Sequence, residues 1–216
     1  ADDLSLAGLA RAIADMRTAL GPRPVLTAGS THAGEDEALI AAFVQHLAHR
    51  PDTLLILVPR HPERFDLVAS LLSTSGLRFA RVSLGQAVHT DTQVLLGDSM
   101  GELMRWYGVA DACFIGGSLV PRQGHNPLEA LCLDKPLLTG PHTDNFATIF
   151  QMLEDADALA RVADAGELLR VLAVAGGPVD ARDLVDIIGR PPVPLLQTVN
   201  SMRGAGLLVE HDGLLS

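Results

Sequence analysis

Short continuous runs of apolar residues alternate with longer amphipathic segments along residues 24–175. The run TLLILVP at residues 53–59 shows no polar alternation, which is typical of parallel strands that are covered on both faces. The intervening segments repeat their apolar positions at helical spacing, as residues 4–20 do. The pattern predicts an α/β fold, a doubly wound parallel sheet of the Rossmann-like kind.

A change in composition at residues 176–180 separates this region from the end of the chain. We therefore predict a domain at residues 1–175 and a small appended tail at residues 176–216. In the tail, two short helical patterns flank GRPP, and a possible hairpin follows. A winged-helix-like module and diverged terminal helices both fit this pattern, and the residues leave the choice open.

Composition and charge restrict the function further. The chain has 216 residues, 48% of them apolar and only 4% aromatic, so aliphatic side chains must fill the core. The formal net charge of -10 disfavours nucleic acid and anionic membranes as partners unless a local basic patch overrides it. No apolar run approaches the roughly 20 residues that cross a bilayer. Because the first residue is not Met, we expect a piece of a longer protein.

The polar loops that stand out each follow a predicted strand. Ligands of open α/β sheets bind at the carboxyl ends of the strands, so this shared position predicts one binding site. The loops are at residues 29–34, 59–64, 97–102, 116–126 and 140–145.

The loop GGSLVPRQGHNPLEAL at residues 116–131 offers two kinds of group. Gly116 and Gly117 let a ligand approach the backbone closely. Asn126 is placed to cap a helix, and Glu129 three residues later would either complete a capping box or accept the two hydroxyls of a ribose. The amides at that helix start also suit an anion. Both interpretations of Glu129 remain open on these residues.

Two further loops carry candidate contacts. Arg60 follows a strand and has the planar fork that matches phosphate or carboxylate, although an exposed structural arginine is the alternative. Met100 and Gly101 stand at a helix start where a flat base could lie against the backbone. There the alternative is a simple cap made by Ser99 and Glu102.

The segment AGSTH at residues 28–32 has small and hydroxyl side chains before a helix, but it lacks the P-loop pattern. Four histidines occur in the strand-end loops, yet no pair has the close helical spacing of zinc sites, so we predict no metal. They are His32, His61, His125 and His142.

Five segments, in this order, resemble the carboxyl-terminal half of the bacterial Kdo transferases. These enzymes move 3-deoxy-D-manno-octulosonic acid (Kdo) from CMP-Kdo onto a lipid A precursor in lipopolysaccharide biosynthesis. The resemblance covers about residues 1–175. The segments are GSTHAGED, PRHPERF, GDSMGELMRWYGVAD, GGSLVPRQGHNPLEA and GPHTDNF.

The resemblance implies the second, donor-binding domain of a GT-B glycosyltransferase, with no cofactor. It implies that Glu129 holds the ribose and that Arg60 engages the phosphate. The cytidine would be lined by Met100, Gly101 and Glu102. Supporting polar groups would be Ser30, Ser118 and Asn126.

In this family the amino-terminal domain carries the acceptor site, the membrane attachment and the expected general base. The resemblance therefore implies a chain that binds CMP-Kdo but transfers poorly on its own. It also implies work at the cytoplasmic face of the bacterial inner membrane, with this domain itself soluble.

Two other functions compete with this interpretation. Another GT-B enzyme, such as a UDP-sugar transferase or epimerase, would use the same loops for a different nucleotide. A ligand-sensing regulator would use the tail as a DNA-binding winged helix. The tail, however, has five acidic residues against three arginines from residue 180 onward, and a surface that binds phosphates needs the opposite balance.

Overall fold

The computed structural model describes residues 6–156, 158–175, 210–211 and 214–215. Seven strands form one sheet within these residues, and every neighbouring pair is parallel. The strands are β1 (Val25–Thr31), β2 (Leu54–Pro59), β3 (Phe79–Arg81), β4 (Val94–Leu96), β5 (Ala112–Ile115), β6 (Leu137–Thr139) and β7 (Leu159–Arg161).

Helices follow the strands in alternation. Short 3₁₀ turns at Pro62–Arg64 and Asp144–Phe146 lead into two of them. The helices are α1 (Leu6–Leu20), α2 (Glu35–His46), α3 (Phe65–Ser75), α4 (Leu103–Val109), α5 (Leu128–Leu131), α6 (Ala147–Asp155) and α7 (Ala165–Ala175).

Both faces of the sheet are covered. Leu55 and Leu57 of β2 pack with α2, α3 and α7, whereas Ile56 between them packs with α1 and α4. A third cluster places α5 and α6 on the second face, against Cys113 and Ile115. Since successive strand residues point to opposite faces, a strand covered on both sides must be apolar at every position. The doubly wound α/β fold that the sequence predicts is confirmed.

The strand order is β3-β4-β2-β1-β5-β6-β7. The chain proceeds outward from β1 through β2, then returns to add β5 on the other side of β1. The connections after β1 and β5 therefore lead to opposite faces of the sheet, to α2 and α5, which forms a crevice between them at the carboxyl ends of the strands.

The predicted tail is described only in part. A hairpin of β8 (Glu210–His211) and β9 (Leu214–Leu215) occurs where the sequence predicts one. The two helical patterns around GRPP lie outside the described residues.

Candidate functional site

The polar loops meet at one edge of the sheet. Each begins where a parallel strand ends, so all of them emerge at the carboxyl edge. The loops after β1 and β5 flank the crevice between the two halves of the sheet, and the loops after β2 and β4 lie beside them. The strand ends are Thr31, Pro59, Leu96, Ile115 and Thr139.

A buried carboxylate shapes the glycine-rich loop after β5. Glu35, the first residue of α2, is fully buried and accepts hydrogen bonds from four backbone amides. The donors are Gly117 at 2.7 Å, Ser118 and Leu119 at 2.9 Å, and His32 at 3.0 Å. Burial raises the pKa of Glu35, and these amides oppose the shift by favouring the carboxylate form. One side chain thus joins the loop after β1 to the loop after β5.

The next residue, Asp36, ties the loops after β1 and β2 together. Its carboxylate is fully buried and accepts hydrogen bonds from the Thr31 hydroxyl at 2.5 Å and the Arg64 guanidinium at 2.6 Å. Burial raises the pKa of Asp36, while the bonds from Thr31 and Arg64 act in the opposite direction. Because Arg64 forms this ion pair with Asp36, it holds the loop after β2 against the start of α2.

A third buried carboxylate holds the loop after β4. Asp98 accepts hydrogen bonds from Arg81 Nε at 2.6 Å and from the amide and hydroxyl of Ser83 at 2.8 and 2.6 Å. Burial would raise the pKa of Asp98, but the bonds from Ser83 and Arg81 outweigh burial and lower it. The loop that carries Met100 is thereby anchored to the end of β3.

Ser118 links the loops after β5 and β6. Its buried hydroxyl donates to the carbonyl of Ile115 at 2.5 Å and accepts from the amide of Gly140 at 2.8 Å. Its own carbonyl accepts from the amide of His142 at 3.0 Å. The Ser118 side chain is therefore fully engaged within the protein and determines the shape of the crevice.

Ser30 lies at the centre of the crevice, where β1 ends. Its φ of 57° is in the left-handed region, and a register shift interrupts the pairing of β1 with β2 at this point. The backbone of Gly116 lies so close to the Ser30 carbonyl that a Cβ atom would collide with it. Glycine is required at Gly116 because two strand ends touch there.

Asn126 and Glu129 differ in how they are used. The Asn126 Oδ1 accepts from the amide of Leu128 at 3.0 Å and so starts α5, as predicted. Of the two interpretations of Glu129, the capping box is not found, because its side chain makes no cap to the backbone. Within the part of the chain that the structure describes, its carboxylate accepts no hydrogen bond. Burial raises the pKa of Glu129, and the charge of Arg60 opposes the shift.

Arg60 directly follows β2 and is exposed. Its amide donates to the carbonyl of Thr31 at 2.9 Å, which fixes the backbone, while its guanidinium has no hydrogen-bond partner among the described residues. Its charge acts on the pKa of both Glu129 and His125. Arg60 and Glu129 therefore lie near each other although 69 positions separate them in the sequence.

The residues at the start of α4 differ in exposure and in bonding. Met100 is 60% exposed, and Gly101 is exposed with a φ of 78°. Glu102 receives hydrogen bonds from the Ser99 hydroxyl and from Arg105 Nη1, the latter at 2.7 Å. Since β4 pairs with β2, this segment is next to the loop of Arg60.

Three histidines are grouped at the crevice. His32 Nε2 and His125 Nε2 are 2.7 Å apart with their rings parallel, and the His61 ring is edge-on to His32 at 5.2 Å between centroids. Burial lowers the pKa of His32 to about 4, assisted by His125, His61, Arg122 and Arg64. Among the described residues, no group of three or more His, Cys, Asp or Glu side chains is arranged to hold a metal ion.

The predicted site residues all occur at this edge, but the sequence did not reveal the groups that position them. For Glu35 the local pattern indicates only an acid at a helix start, and nothing in it marks Asp98. The consecutive acids EDE at residues 35–37, directly after a strand-end loop, were the one available signal. The pairing of His32 with His125 depends on the contact between β1 and β5, which no local spacing shows.

The fold and the crevice define a structural class. A glycosyltransferase from Rickettsia africae matches 95% of this chain and 53% of its own, with a TM-score of 0.55 and 13% identity. HepE from Anabaena, solved with UDP and glucose, matches 91% of this chain and 52% of its own, with a TM-score of 0.56 and 13% identity. Identities this low show the fold alone. The chain has the Rossmann-like fold of one domain of a GT-B glycosyltransferase.

More similar proteins define the family. The 3-deoxy-D-manno-octulosonic acid transferase of Haemophilus influenzae is 49% identical over 147 residues, and that of Bordetella pertussis is 42% identical over 149 residues. These matches cover 68% and 66% of this chain, and 34% of each relative. The solved C-terminal CMP-Kdo binding domain of WaaA from Acinetobacter baumannii matches at 35% identity with a TM-score of 0.80.

The chain belongs to the 3-deoxy-D-manno-octulosonic acid transferase family, and the resemblance that the sequence motifs suggested is confirmed. The match to the Acinetobacter domain covers 89% of this chain and 98% of that one. The chain spans about a third of the length of the curated relatives it matches. No protein-family model matches it. None of the helices in the described residues has the length and apolar character that a membrane crossing needs.

Proposed function

We propose that this domain binds CMP-Kdo at the carboxyl edge of its sheet and is the donor-binding part of a Kdo transferase. The observation that carries the proposal is the similarity to a solved CMP-Kdo binding domain over 98% of that domain's length. The relatives named as Kdo transferases are consistent with it. The UDP-sugar and DNA-binding alternatives have no comparable support.

The geometry favours Glu129 as the group that holds the ribose. A ribose presents two adjacent hydroxyl donors, and a carboxylate can accept both of them. Glu129 is half-buried near Arg60, and no described residue donates a hydrogen bond to it. A carboxylate with unused acceptor capacity in a partly buried position is better explained by a ligand than by a cap.

Arg60 is proposed to bind the phosphate of the donor. Its guanidinium is exposed beside the crevice, and a charge-assisted bond to a phosphate oxygen is worth roughly twice a neutral one. Because CMP leaves as a phosphate monoester in the reaction, the same contact would stabilise the charge that develops on the leaving group.

The cytidine ring is proposed to lie over the start of α4. Met100 offers an exposed apolar surface, Gly101 has no side chain to obstruct a flat ring, and Glu102 completes the segment. Ser30, Ser118 and Asn126 support the site from within. For Ser118 and Asn126 that support consists of holding the loops, since their side chains bond to the protein's own backbone.

In the longer protein we propose an inverting displacement at the anomeric carbon of Kdo. A base from the preceding domain would deprotonate a hydroxyl of the lipid A precursor, which would then displace CMP. Acceptor binding and association with the cytoplasmic face of the inner membrane would also belong to that domain. This domain would supply the donor in a fixed orientation.

Calorimetric titration with CMP, UMP and UDP tests the donor assignment. CMP should bind more tightly than UMP or UDP. Arg60→Ala and Glu129→Ala should each weaken CMP by at least about tenfold, since each removes a charged hydrogen bond worth about 1.5–3 kcal/mol. Arg11→Ala, a charge removed from the exposed surface of α1, is the matched control and should bind as the wild type does.

A clear preference for UDP would overturn the assignment of the donor. Unchanged CMP affinity in both Arg60→Ala and Glu129→Ala would show that the nucleotide lies elsewhere on the domain.

A further inference from the structure

The His32–His125 pair has a geometry that neutral and singly protonated imidazoles can share. Its two Nε2 atoms are 2.7 Å apart, which requires one hydrogen between them. A neutral pair supplies it as one N–H donor facing one lone pair. Adding one proton at the far nitrogen of the donor ring leaves this bond intact and spreads a single positive charge over both rings. A second proton would place two N–H groups against each other and break the contact.

The backbone fixes the two rings in this arrangement. The His32 amide donates to Glu35 at 3.0 Å, and the His125 amide donates to the carbonyl of Gly116 at 3.2 Å. The His125 ring lies over Gly117, where an added Cβ atom would be 2.9 Å from the ring carbon Cδ2. His32 is only 9% exposed. Backbone hydrogen bonds and packing thus hold both rings in place at the wall of the crevice.

The permanently charged groups around the pair are mostly arginines, and His61 lies beside them with its Nδ1 3.9 Å from the Glu63 carboxylate. His61, Arg122 and Arg64 act on His32, and Arg60 and His61 act on His125. Nearby carboxylates offset this charge only in part. Asp36 forms an ion pair with Arg64. The Glu35 carboxylate accepts hydrogen bonds from four amides, and Glu129 lies near Arg60. Without a ligand, burial of the rings and, to a smaller extent, this positive charge lower the pKa of both histidines, which keeps the pair neutral near pH 7.

We propose that the His32–His125 pair is an anion-binding element that takes up one proton from solvent when the anionic part of the donor binds. The ligand's negative charge would offset the positive charge of Arg60 and Arg122, so the pair would take up a proton that it does not bind when the crevice is empty. The bound state would then hold one additional positive charge opposite the anion, with the 2.7 Å bond preserved.

This inference rests on the proposed function, because CMP-Kdo supplies the anion. The donor carries two anionic groups, the phosphodiester and the sugar carboxylate, and either could face the pair. Freshly prepared CMP-Kdo and the methyl ester of cytidine 5′-monophosphate separate the two. Both have a phosphodiester, only the first has the carboxylate, and neither titrates in the neutral range.

The test is calorimetric titration at pH 6.5 in two buffers of different ionisation enthalpy, which gives the number of protons taken up without any variant. We expect CMP-Kdo to bind with uptake of at least about half a proton. By linkage, an uptake of about half a proton at pH 6.5 corresponds to an affinity that falls about twofold from pH 6.5 to pH 8.0, and a larger uptake to a larger fall. Uptake with the methyl ester as well would identify the phosphodiester as the anion, and uptake with CMP-Kdo alone would identify the carboxylate.

His32→Asn and His125→Asn should each remove the proton uptake and flatten the pH dependence of binding. His89→Asn, an exposed histidine before β4 at the opposite edge of the sheet, is the matched control and should retain both. CMP-Kdo binding that is independent of pH and takes up no proton in the wild type would overturn this inference while leaving the proposed function intact. Uptake that persists in both histidine variants would also overturn it. No binding of either ligand would overturn both proposals.

Discussion

The loops after β1 and β5 differ sharply from the loops after β2 and β4, although all four lie at the same edge of the sheet. In the central pair, the polar groups are buried and bonded to one another, as Glu35 and Ser118 are. In the lateral pair, the side chains of Arg60 and Met100 are exposed, and the Arg60 guanidinium has no hydrogen-bond partner among the described residues.

This difference in bonding indicates that the central and the lateral loops have different roles. The central loops determine the width and shape of the crevice, because their hydrogen bonds leave little freedom to move. The lateral loops present side chains that can still gain interactions, so part of the contact energy with a ligand should come from them. Substitutions in the central loops should therefore cost folding stability, whereas Arg60→Ala should cost affinity with little loss of stability.

The largest effect is expected for Glu35→Ala. It leaves four backbone amides without their acceptor in a buried region, and each such group costs about 1–3 kcal/mol. We expect the free energy of unfolding to fall by at least about 4 kcal/mol in urea denaturation. Glu37→Ala, two residues on and exposed, removes one hydrogen bond to Gly34 and should cost about 1 kcal/mol. Equal losses in the two variants would contradict the clamping role of Glu35.

Gly117→Ala should have the next largest effect. The position has a φ of 71°, and a Cβ atom would meet the ring of His125 at 2.9 Å. We expect a loss of about 3 kcal/mol, of which the left-handed backbone accounts for about 1–2. Gly76→Ala, with a φ of 76° and open space around it, carries only the backbone cost. A loss no greater than that of Gly76→Ala would show that the His125 ring moves aside freely.

The smallest effect concerns pH. The pKa of His32 is lowered to about 4 in the folded chain, whereas the unfolded chain gains this proton near pH 6.5. Between these values the unfolded state binds more protons, so acidification should destabilise the fold. The loss between pH 7.0 and pH 4.5 should be smaller in His32→Asn than in the wild type by about 2 kcal/mol.

Urea denaturation of both proteins at the two pH values measures this difference. Glu35 and Asp36, whose raised pKa acts in the opposite direction, are present in both proteins and largely cancel. His89→Asn should follow the wild type. Parallel curves for the wild type and His32→Asn would mean that His32 titrates normally in the folded state.

Much of the fold could be predicted because each element carries its own local signal. The apolar residues of Ala165–Ala175 repeat at helical spacing, and this segment forms α7. Helix α3 is followed by Gly76 in the left-handed conformation that glycine favours. Helix α5 is short, with only Leu128–Leu131 helical. The continuous apolar strands predicted the parallel sheet, since only burial on both faces tolerates them.

The sequence could predict which edge of the sheet carries the candidate site, because the end of every strand marks that edge. It could also predict exposed residues such as Arg60, because their position after a strand is visible without knowledge of any contact. The buried groups that hold the loops in place could not be predicted. Glu35 binds amides more than 80 positions away, and His125 meets His32 across 93 positions. Such pairings follow from the strand order, which a single sequence does not encode locally.

The Glu35 clamp also limits how a nucleotide could be bound at this edge of the sheet. Many nucleotide-binding domains offer the bare amides of a glycine-rich turn to a phosphate. Here the amides of Gly117, Ser118 and Leu119 are already satisfied by an anion that the protein supplies itself. We therefore expect guanidinium and imidazole groups to hold the phosphate of the proposed donor, and its binding to be more sensitive to salt and acidity than binding by backbone amides.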